Sequence, residues 1–417
     1  MTNTMRHSGI PWIGDIPSHW EVMPHKRIMH KEKEIQEHYD GENILSLTMR
    51  GVIVRDLEAG GKMPTTFDGY QKVYANDLLQ CLFDIDVTPR CVGLVRQDGL
   101  VSPAYSRFVM DANAYAPYYD YLLRFMDDNK VLLHLSKNIR SSLTETDYGT
   151  IYTCVPPLTE QKAIADYLDK HCAEVDEMVS LQEKIIEELR AYRQAIITET
   201  VTHGLNPNAP MKDSGVEWIG QIPQGWEVKR FKDTARVKAN LVSPDLYPNL
   251  PQVAPDDIEK DSGILLHYQF VKDANIISDN HLFYRGQIIY SKIRPMLNKA
   301  IIAPFDGLCS ADMYPIETNL FSKYLLYFIL STFFTKQVQR YVNDRVKMPK
   351  INKEEISTII TIVPPLSEQQ EIADYLDKKT AEIDQLITIK QRKIEELKEY
   401  KKSLIYEYVT GKKQPIL

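Results

Sequence analysis

A run of side chains that could hold a divalent cation is Pro255-Asp256-Asp257-Ile258-Glu259-Lys260, which loosely suggests a Mg²⁺-dependent nuclease cluster. Such carboxylates must converge, which on a strand requires alternate residues. Here Glu259 and Lys260 are adjacent, so an exposed acidic turn is the better reading. The pairs Pro156-Pro157 and Pro364-Pro365 follow valine and precede leucine. They therefore do not form the Asn/Asp-Pro-Pro-aromatic loop with which an amino-methyltransferase holds its base. No GxxxxGK, GxGxxG or HExxH occurs, which removes phosphate-loop, dinucleotide and zincin chemistry. The ten histidines show no ligand spacing, and the five cysteines (Cys81, Cys91, Cys154, Cys172, Cys309) form no CxxC pair. That argues against a zinc ribbon and against a disulfide framework. The chain is expected to carry no metal or cofactor and not to be an enzyme by itself.

What these residues lack in chemistry they supply as scaffold. With 417 residues, 43% hydrophobic and 26% charged, the chain has material for several domains with true cores. Its longest apolar run, Tyr324 to Phe334, is far short of a membrane span. The first residues carry Arg6, His7, Asp15 and Glu21 without an apolar core, so no secretory leader is expected and the location is taken as cytoplasmic. The net charge of −7 does not advertise nucleic acid; residues 155–205 alone hold −5, and 206–362 hold +2. Any affinity for DNA would borrow from a more basic partner.

The chain repeats itself. Ser8-Gly-Ile-Pro-Trp-Ile-Gly-Asp-Ile-Pro-Ser-His-Trp-Glu-Val22 returns as Ser214-Gly-Val-Glu-Trp-Ile-Gly-Gln-Ile-Pro-Gln-Gly-Trp-Glu-Val228, an offset of 206. Val155-Pro-Pro-Leu-Thr-Glu-Gln-Lys-Ala-Ile-Ala-Asp-Tyr-Leu-Asp-Lys170 returns as Val363-Pro-Pro-Leu-Ser-Glu-Gln-Gln-Glu-Ile-Ala-Asp-Tyr-Leu-Asp-Lys378, an offset of 208. Between these blocks the halves diverge. The organisation predicted is a divergent segment 1–154, a repeated helix 155–205, a second divergent segment 206–362, and a second repeated helix with tail, 363–417. Thr159 and Ser367 are the expected N-caps. No glycine or proline occurs from Gln161 to Val201. Near-heptad apolar spacing predicts a coiled-coil seam of Leu168, Val175, Met178, Ile185, Leu189, Tyr192 and Ile196 with Leu376, Ile383, Leu386, Leu397, Tyr400 and Leu404. Gln182 and Lys390 interrupt it at matching positions. Val179, Ile186, Ile197, Ile387, Ile394 and Ile405 fall off that seam, as a partner contact or as a widening of the core. The divergent segments read as mixed α/β with a shared fold, from the echo of Asp98-Gly-Leu-Val-Ser-Pro103 in Asp306-Gly-Leu-Cys-Ser-Ala311. Trp12, Trp20, Trp218 and Trp226 are duplicated with the scaffold, which favours structural packing over base stacking.

The variable–repeat–variable–repeat order, the Trp-Ile-Gly-x-Ile-Pro-x-x-Trp-Glu openings and the Val-Pro-Pro-Leu-[Thr/Ser]-Glu-Gln helix starts together resemble the specificity subunit of type I restriction–modification systems. The resemblance covers essentially the whole chain. It implies two globular target-recognition domains joined by two long antiparallel coiled-coil helices, with pseudo-twofold internal duplication. It also implies a non-catalytic subunit that binds double-stranded DNA. One half-site per domain, separated by a gap that the helices set, makes the site bipartite and asymmetric. The implied partners are two methylation subunits and two restriction/translocase subunits, with S-adenosylmethionine, ATP and Mg²⁺ on those partners and none on this chain. The rival reading is a coiled-coil scaffold joining two protein-binding domains with no DNA role.

Direct readout needs Arg, Lys, Asn or Gln on a supported loop. The second-domain candidates are Lys292 and Arg294 in Ser291-Lys-Ile-Arg-Pro295, and Arg345, Lys347 and Lys350 in the basic run that follows. Their expected first-domain counterparts are Arg90, near the place of Arg294, and Lys137, Asn138 and Arg140. Arg50 and Tyr105 are further candidates. A phosphate contact or a solvated charge competes with base readout at each of them.

Overall fold

A computed structural model of the chain describes residues 4–58, 64–136, 141–274, 276, 278–343 and 349–415. It divides into two compact units, Met1–Gln182 with Lys393–Leu417, and Glu183–Arg392. Each unit therefore takes one divergent segment, the N-terminal part of the long helix that follows it, and the C-terminal part of the other long helix.

In the first unit a four-stranded antiparallel sheet runs in the order Met29–Glu32, Ser106–Met110, Leu78–Gln80, Val92–Leu94. Helix Ala116–Asp128 buries Tyr118, Tyr119, Leu122, Leu123 and Met126 within the same core. The second unit repeats this order with Ala235–Val237, Met313–Thr318, Ile288–Ser291 and Ala300–Ile302, and with helix Ser322–Leu330. The two divergent segments thus share a fold. Both also pair two further strands, Gln71–Val73 with Gly99–Val101 in the first and Asn280–Phe283 with Gly307–Cys309 in the second, and they differ in how much is built around that pair. The first carries the hairpin Leu45–Thr48/Gly51–Val54. The second carries a five-stranded sheet running Leu241–Val242, Asn280–Phe283, Gly307–Cys309, Pro251–Val253, Gln269–Phe270.

The repeated blocks form helices Leu158–His203 and Leu366–Val409, of 46 and 44 residues. Each begins one residue before the expected cap, so Thr159 and Ser367 lie inside the first turn and proline precedes the helix. The side chains that follow do other work. Trp20 Nε1 donates to Glu160 Oε2 at 2.9 Å, and Trp226 Nε1 to Glu368 Oε2 at 2.8 Å. Gln161 accepts from the Tyr115 amide and donates to the Asn113 and Pro156 carbonyls; Gln369 accepts from the Phe321 amide and donates to the Pro364 carbonyl. At the far ends, Tyr118 donates to the Val409 carbonyl at 2.8 Å and Tyr324 to that of Val201 at 3.2 Å. Tyr121 and Tyr327 donate to Asp169 and Asp377, both at 2.7 Å. Each globular part is therefore clamped to the start of one helix and the end of the other. The glycines that end the helices, Gly204 and Gly411, have φ +80° and +74°; a Cβ there would lie 3.0 Å from Trp226 and 2.9 Å from Trp20.

The helices run antiparallel within each unit. In the first, Lys401 Nζ lies 2.7 Å from both carboxylate oxygens of Asp176, and the Tyr167 and Tyr408 rings stack at 4.4 Å. In the second, Arg193 Nε lies 3.0 Å from Asp384 Oδ1. Arg193 and Lys401, like Asp176 and Asp384, are 208 residues apart, so the two ion pairs are copies of one another.

The seam differs from the one the heptad spacing predicts. Leu168, Val175, Leu376, Ile383 and Leu404 are buried, and Ile185, Leu189, Ile196 and Leu397 half-buried. Met178, Tyr192, Leu386 and Tyr400 are exposed, and Cys172, Ile186, Ile197, Ile387, Ile394 and Tyr408 are buried instead. On a helix, i+3 and i+4 lie on opposite flanks of the line through i. At Met178/Val179, Ile185/Ile186 and Leu386/Ile387 both flanks are apolar, so spacing alone does not choose between them. The packed stripe takes the i+4 flank.

Candidate nucleic-acid interface

In the second unit the strand Ile288–Ser291 runs into a turn that brings two separate basic segments together. The Arg294 amide donates to the Pro349 carbonyl at 2.8 Å and the Ile351 amide to that of Lys292 at 3.0 Å, with Ile293 bridged to Lys350. Lys292, Arg294 and Lys350 therefore share one turn. Lys292 is half-buried, its ammonium 5.1 Å from the centre of the Tyr314 ring, whereas Arg294 and Lys350 are exposed. Arg294 has φ +43°, and Asn298 four residues on has φ +45°. A left-handed non-glycine residue is costly, and such residues concentrate where geometry serves a site. Arg345 and Lys347 lie outside the described residues, as do Lys137, Asn138 and Arg140.

The first unit builds the same turn from different residues. The Leu143 amide donates to the Leu82 carbonyl at 2.8 Å and the Ile85 amide to that of Ser141 at 3.1 Å. The Cys81 amide donates to the Cys91 carbonyl just as the Ser291 amide donates to that of Lys299. The pairing Leu78↔Leu94 corresponds to Ile288↔Ile302, which superposes Asp84 on Arg294. Asp84 has φ +48°. Arg90 is thus not the counterpart of Arg294. It lies beside the next strand, its guanidinium 3.0 Å from Asp127 and 2.8 Å from Asp128 with 11% of the side chain exposed, and it is spent on the core. Tyr105 is half-buried against both hydrophobic clusters of this unit, where burial raises its pKa and keeps the hydroxyl neutral. Arg50 stands exposed at the tip of the added hairpin, its amide bonded to Thr48 Oγ1 at 3.1 Å.

Residues 223–399 match the family model for the type I restriction modification DNA specificity domain. The chain is 36% identical over 253 residues to the EcoDI type I restriction enzyme specificity subunit of Escherichia coli. Residues 223–399 thus carry the type I DNA specificity domain, and the chain is similar to type I specificity subunits. That alignment covers 57% of this chain and spans 57% of the relative's length. A putative type I specificity subunit of Methanocaldococcus jannaschii, MjaX, is 25% identical over 72% of this chain and 69% of its own length. Among solved structures, a chain from a study of complex assembly and conformational transition in a type I R-M system covers 94% of this chain and 98% of that one, with TM-score 0.70 at 15% identity. The HsdS subunit of Thermoanaerobacter tengcongensis covers 95% and 98%, with TM-score 0.51 at 16% identity. These likenesses are of fold.

The acidic run considered from sequence does not converge. Asp256 turns to Lys299 at 3.5 Å, while Asp257 accepts from the Ala254 amide at 2.6 Å and pairs with His267 at 2.7 Å. Among the described residues no group of three or more His, Cys, Asp or Glu could hold a metal ion. All five cysteines are buried and unpaired; burial pushes Cys91 up to about 12 and Cys154 and Cys172 up to about 11, so none is a ready thiolate. No helix among the described residues is long and apolar enough to cross a membrane. A second surface escaped the sequence reading. Met178 and Leu181 on the first long helix are exposed, and so are Leu386 and Ile389, their equivalents at offset 208, one pair in each unit. Exposed apolar groups occurring singly need no explanation, but a set copied position by position is a candidate contact face.

Proposed function

We propose that the chain is the non-catalytic, DNA-reading subunit of a type I restriction–modification complex, directed at an asymmetric bipartite site. The observation that carries this reading is the pair of turns. One sheet-and-turn framework is built twice, its scaffold kept and its exposed turn changed from Asp84 to Arg294. Two such frameworks on duplicated helices suit two different half-sites separated by a constant gap, since same-facing grooves recur every ~34 Å along DNA. The acidic overall charge fits a chain that draws its phosphate affinity from partners. Those partners are two methylation subunits and two restriction/translocase subunits in the cytoplasm, which would bring S-adenosylmethionine, ATP and Mg²⁺. The duplicated apolar face gives the methylation subunits two equivalent docking places.

The test is to express the chain with its accompanying methylation subunit in a methylation-free bacterial host and map N6-methyladenine across the genome. A bipartite asymmetric motif with one gap length is the expected result. A co-purifying complex that methylates nothing would overturn the reading in favour of a scaffold without a DNA role.

A further inference from the structure

We infer that the left-handed residue at the end of the third strand of each sheet is a base-reading position, and that Asp84 reads cytosine where Arg294 reads guanine. This rests on the DNA-reading function proposed above and assigns a role to a residue that a search for basic side chains passes over.

Three observations place Asp84. Its backbone occupies the position of Arg294 by the strand registers, and both turns are tied to the segment before the last short helix, by the Ile85 amide to Ser141 in the first unit and by the Arg294 amide to Pro349 in the second. Both residues hold φ near +45° without being glycine (+48° and +43°), so the same unfavourable conformation is kept while the side chain changes from carboxylate to guanidinium. Both are exposed, and neither carboxylate nor guanidinium has an ion-pair partner among the described residues, whereas Arg90 nearby is fully paired. Phe83 and Val87, 39% and 73% exposed, lie beside Asp84, so among the described residues its carboxylate stands on an apolar rim.

The chemistry then selects the ligand. A guanidinium on DNA has two uses, a phosphate or the O6/N7 edge of guanine. A carboxylate has no phosphate use, because like charges repel. It accepts only, and the amino group of cytosine is the major-groove donor that suits it. Of two equivalent turns lying on DNA, the acidic one is therefore the more restricted, and its restriction is to a base edge.

The experiment uses the full chain with its methylation subunit and reads the genomic N6-methyladenine motif. The unsubstituted chain should show a fixed cytosine in one half-site and a fixed guanine in the other. Asp84→Asn is nearly isosteric, and asparagine tolerates the left-handed region. Asparagine pairs with adenine, so this variant should shift preference at that single cytosine toward adenine by about ten- to a hundredfold, leaving the other half-site and the gap unchanged. Arg294→Gln should do the same at the guanine of the other half-site. Asp84→Ser, which keeps a small polar residue in the turn, should lose discrimination at the same position and nowhere else, so the proposal does not depend on one variant folding. An unchanged motif in Asp84→Asn, or a uniform rise in methylation of all sites, would overturn the inference; the second would make Asp84 a mere repeller of phosphate. Failure of the functional reading is separable, since it would appear in the unsubstituted chain as no bipartite motif at all.

Discussion

The two halves hold their domains to the helices by the same polar clamps at the ends and by different means in the middle. In the second unit Arg193 is 7% exposed; besides its 3.0 Å approach to Asp384 it donates to the carbonyls of Asp261 at 2.9 Å and Ser262 at 3.2 Å. These carbonyls belong to a turn that the five-stranded sheet sends down to the helix. In the first unit the equivalent Lys401 pairs, among the described residues, only with Asp176, whose side chain is 63% exposed. Duplication fixed the ends of the clamp and left the middle to be settled by each domain's own additions.

The largest expected effect falls on what the halves share. Trp20→Ala and Trp226→Ala should each cost about 3–5 kcal/mol, because each removes a buried indole and takes a donor from the carboxylate of Glu160 or Glu368. Urea denaturation of the two variants checks this. A loss at one tryptophan several times that at the other would show that the clamps are equivalent in form only.

The middle of the helices should separate the halves. Arg193→Ala deletes a charged donor from two carbonyls and a carboxylate, and should cost about 2–3 kcal/mol. Lys401→Ala removes an exposed pair worth less than about 1 kcal/mol. Equal losses, read from urea midpoints, would refute the contrast.

A third difference lies beneath the sheets. His25 is wholly buried against the Tyr148 ring at 4.8 Å, and at the equivalent position of the second unit stands Phe231, equally buried. Burial, with neither ring nitrogen hydrogen-bonded among the described residues, lowers the pKa of His25 from 6.5 to about 3. The folded-state value lies below the unfolded one, so the neutral imidazole's contribution is complete above pH 6.5 and is lost as pH falls toward 3. At pH 5 the first unit should be about 2 kcal/mol less stable than at pH 7.5 on this account. His25→Phe, borrowing the second unit's residue, should remove that part of the pH dependence. An unchanged difference between urea midpoints at the two pH values would assign the acid sensitivity to other groups.

How far these features can be read from sequence follows from what duplication makes visible. The Trp, Glu and Gln of the clamps lie in the repeated blocks and are legible because each copy controls for the other, whereas Tyr118, Tyr121, Tyr324 and Tyr327 lie in the divergent segments and do not stand out. The turn is legible only in the basic half. Lys292, Arg294 and Lys350 stand out by charge, and the fold joins them. Asp84 does not, because the loop from Cys81 to Cys91 is two residues longer than that from Ser291 to Lys299, which shifts the alignment and offers Arg90 in its place. The acids that claim Arg90, Asp127 and Asp128, lie on a helix that no local pattern connects to it. The side of the long helices that packs was hidden for a related reason, since apolar residues line both flanks.

Those unused flanks yield the smallest effect on the chain itself. Met178, Leu181 and Tyr192 are 51%, 54% and 58% exposed, and Leu386, Ile389 and Tyr400 are 46%, 53% and 56% exposed. Replacing Met178 and Leu181, or Leu386 and Ile389, by serine removes no buried contact and should change stability by less than about 0.5 kcal/mol per site. Surface apolar groups retained twice at no benefit to folding are better explained by what covers them. On the function proposed above, either double variant should leave one docking place intact, so the proposed two copies of the methylation subunit recovered in the complex should fall to one, and to none when all four residues are changed. Stoichiometry by native mass spectrometry reads this directly. Two copies retained in the fourfold variant would show that the methylation subunit docks elsewhere, and a marked loss of stability would show that the flanks are part of the core after all.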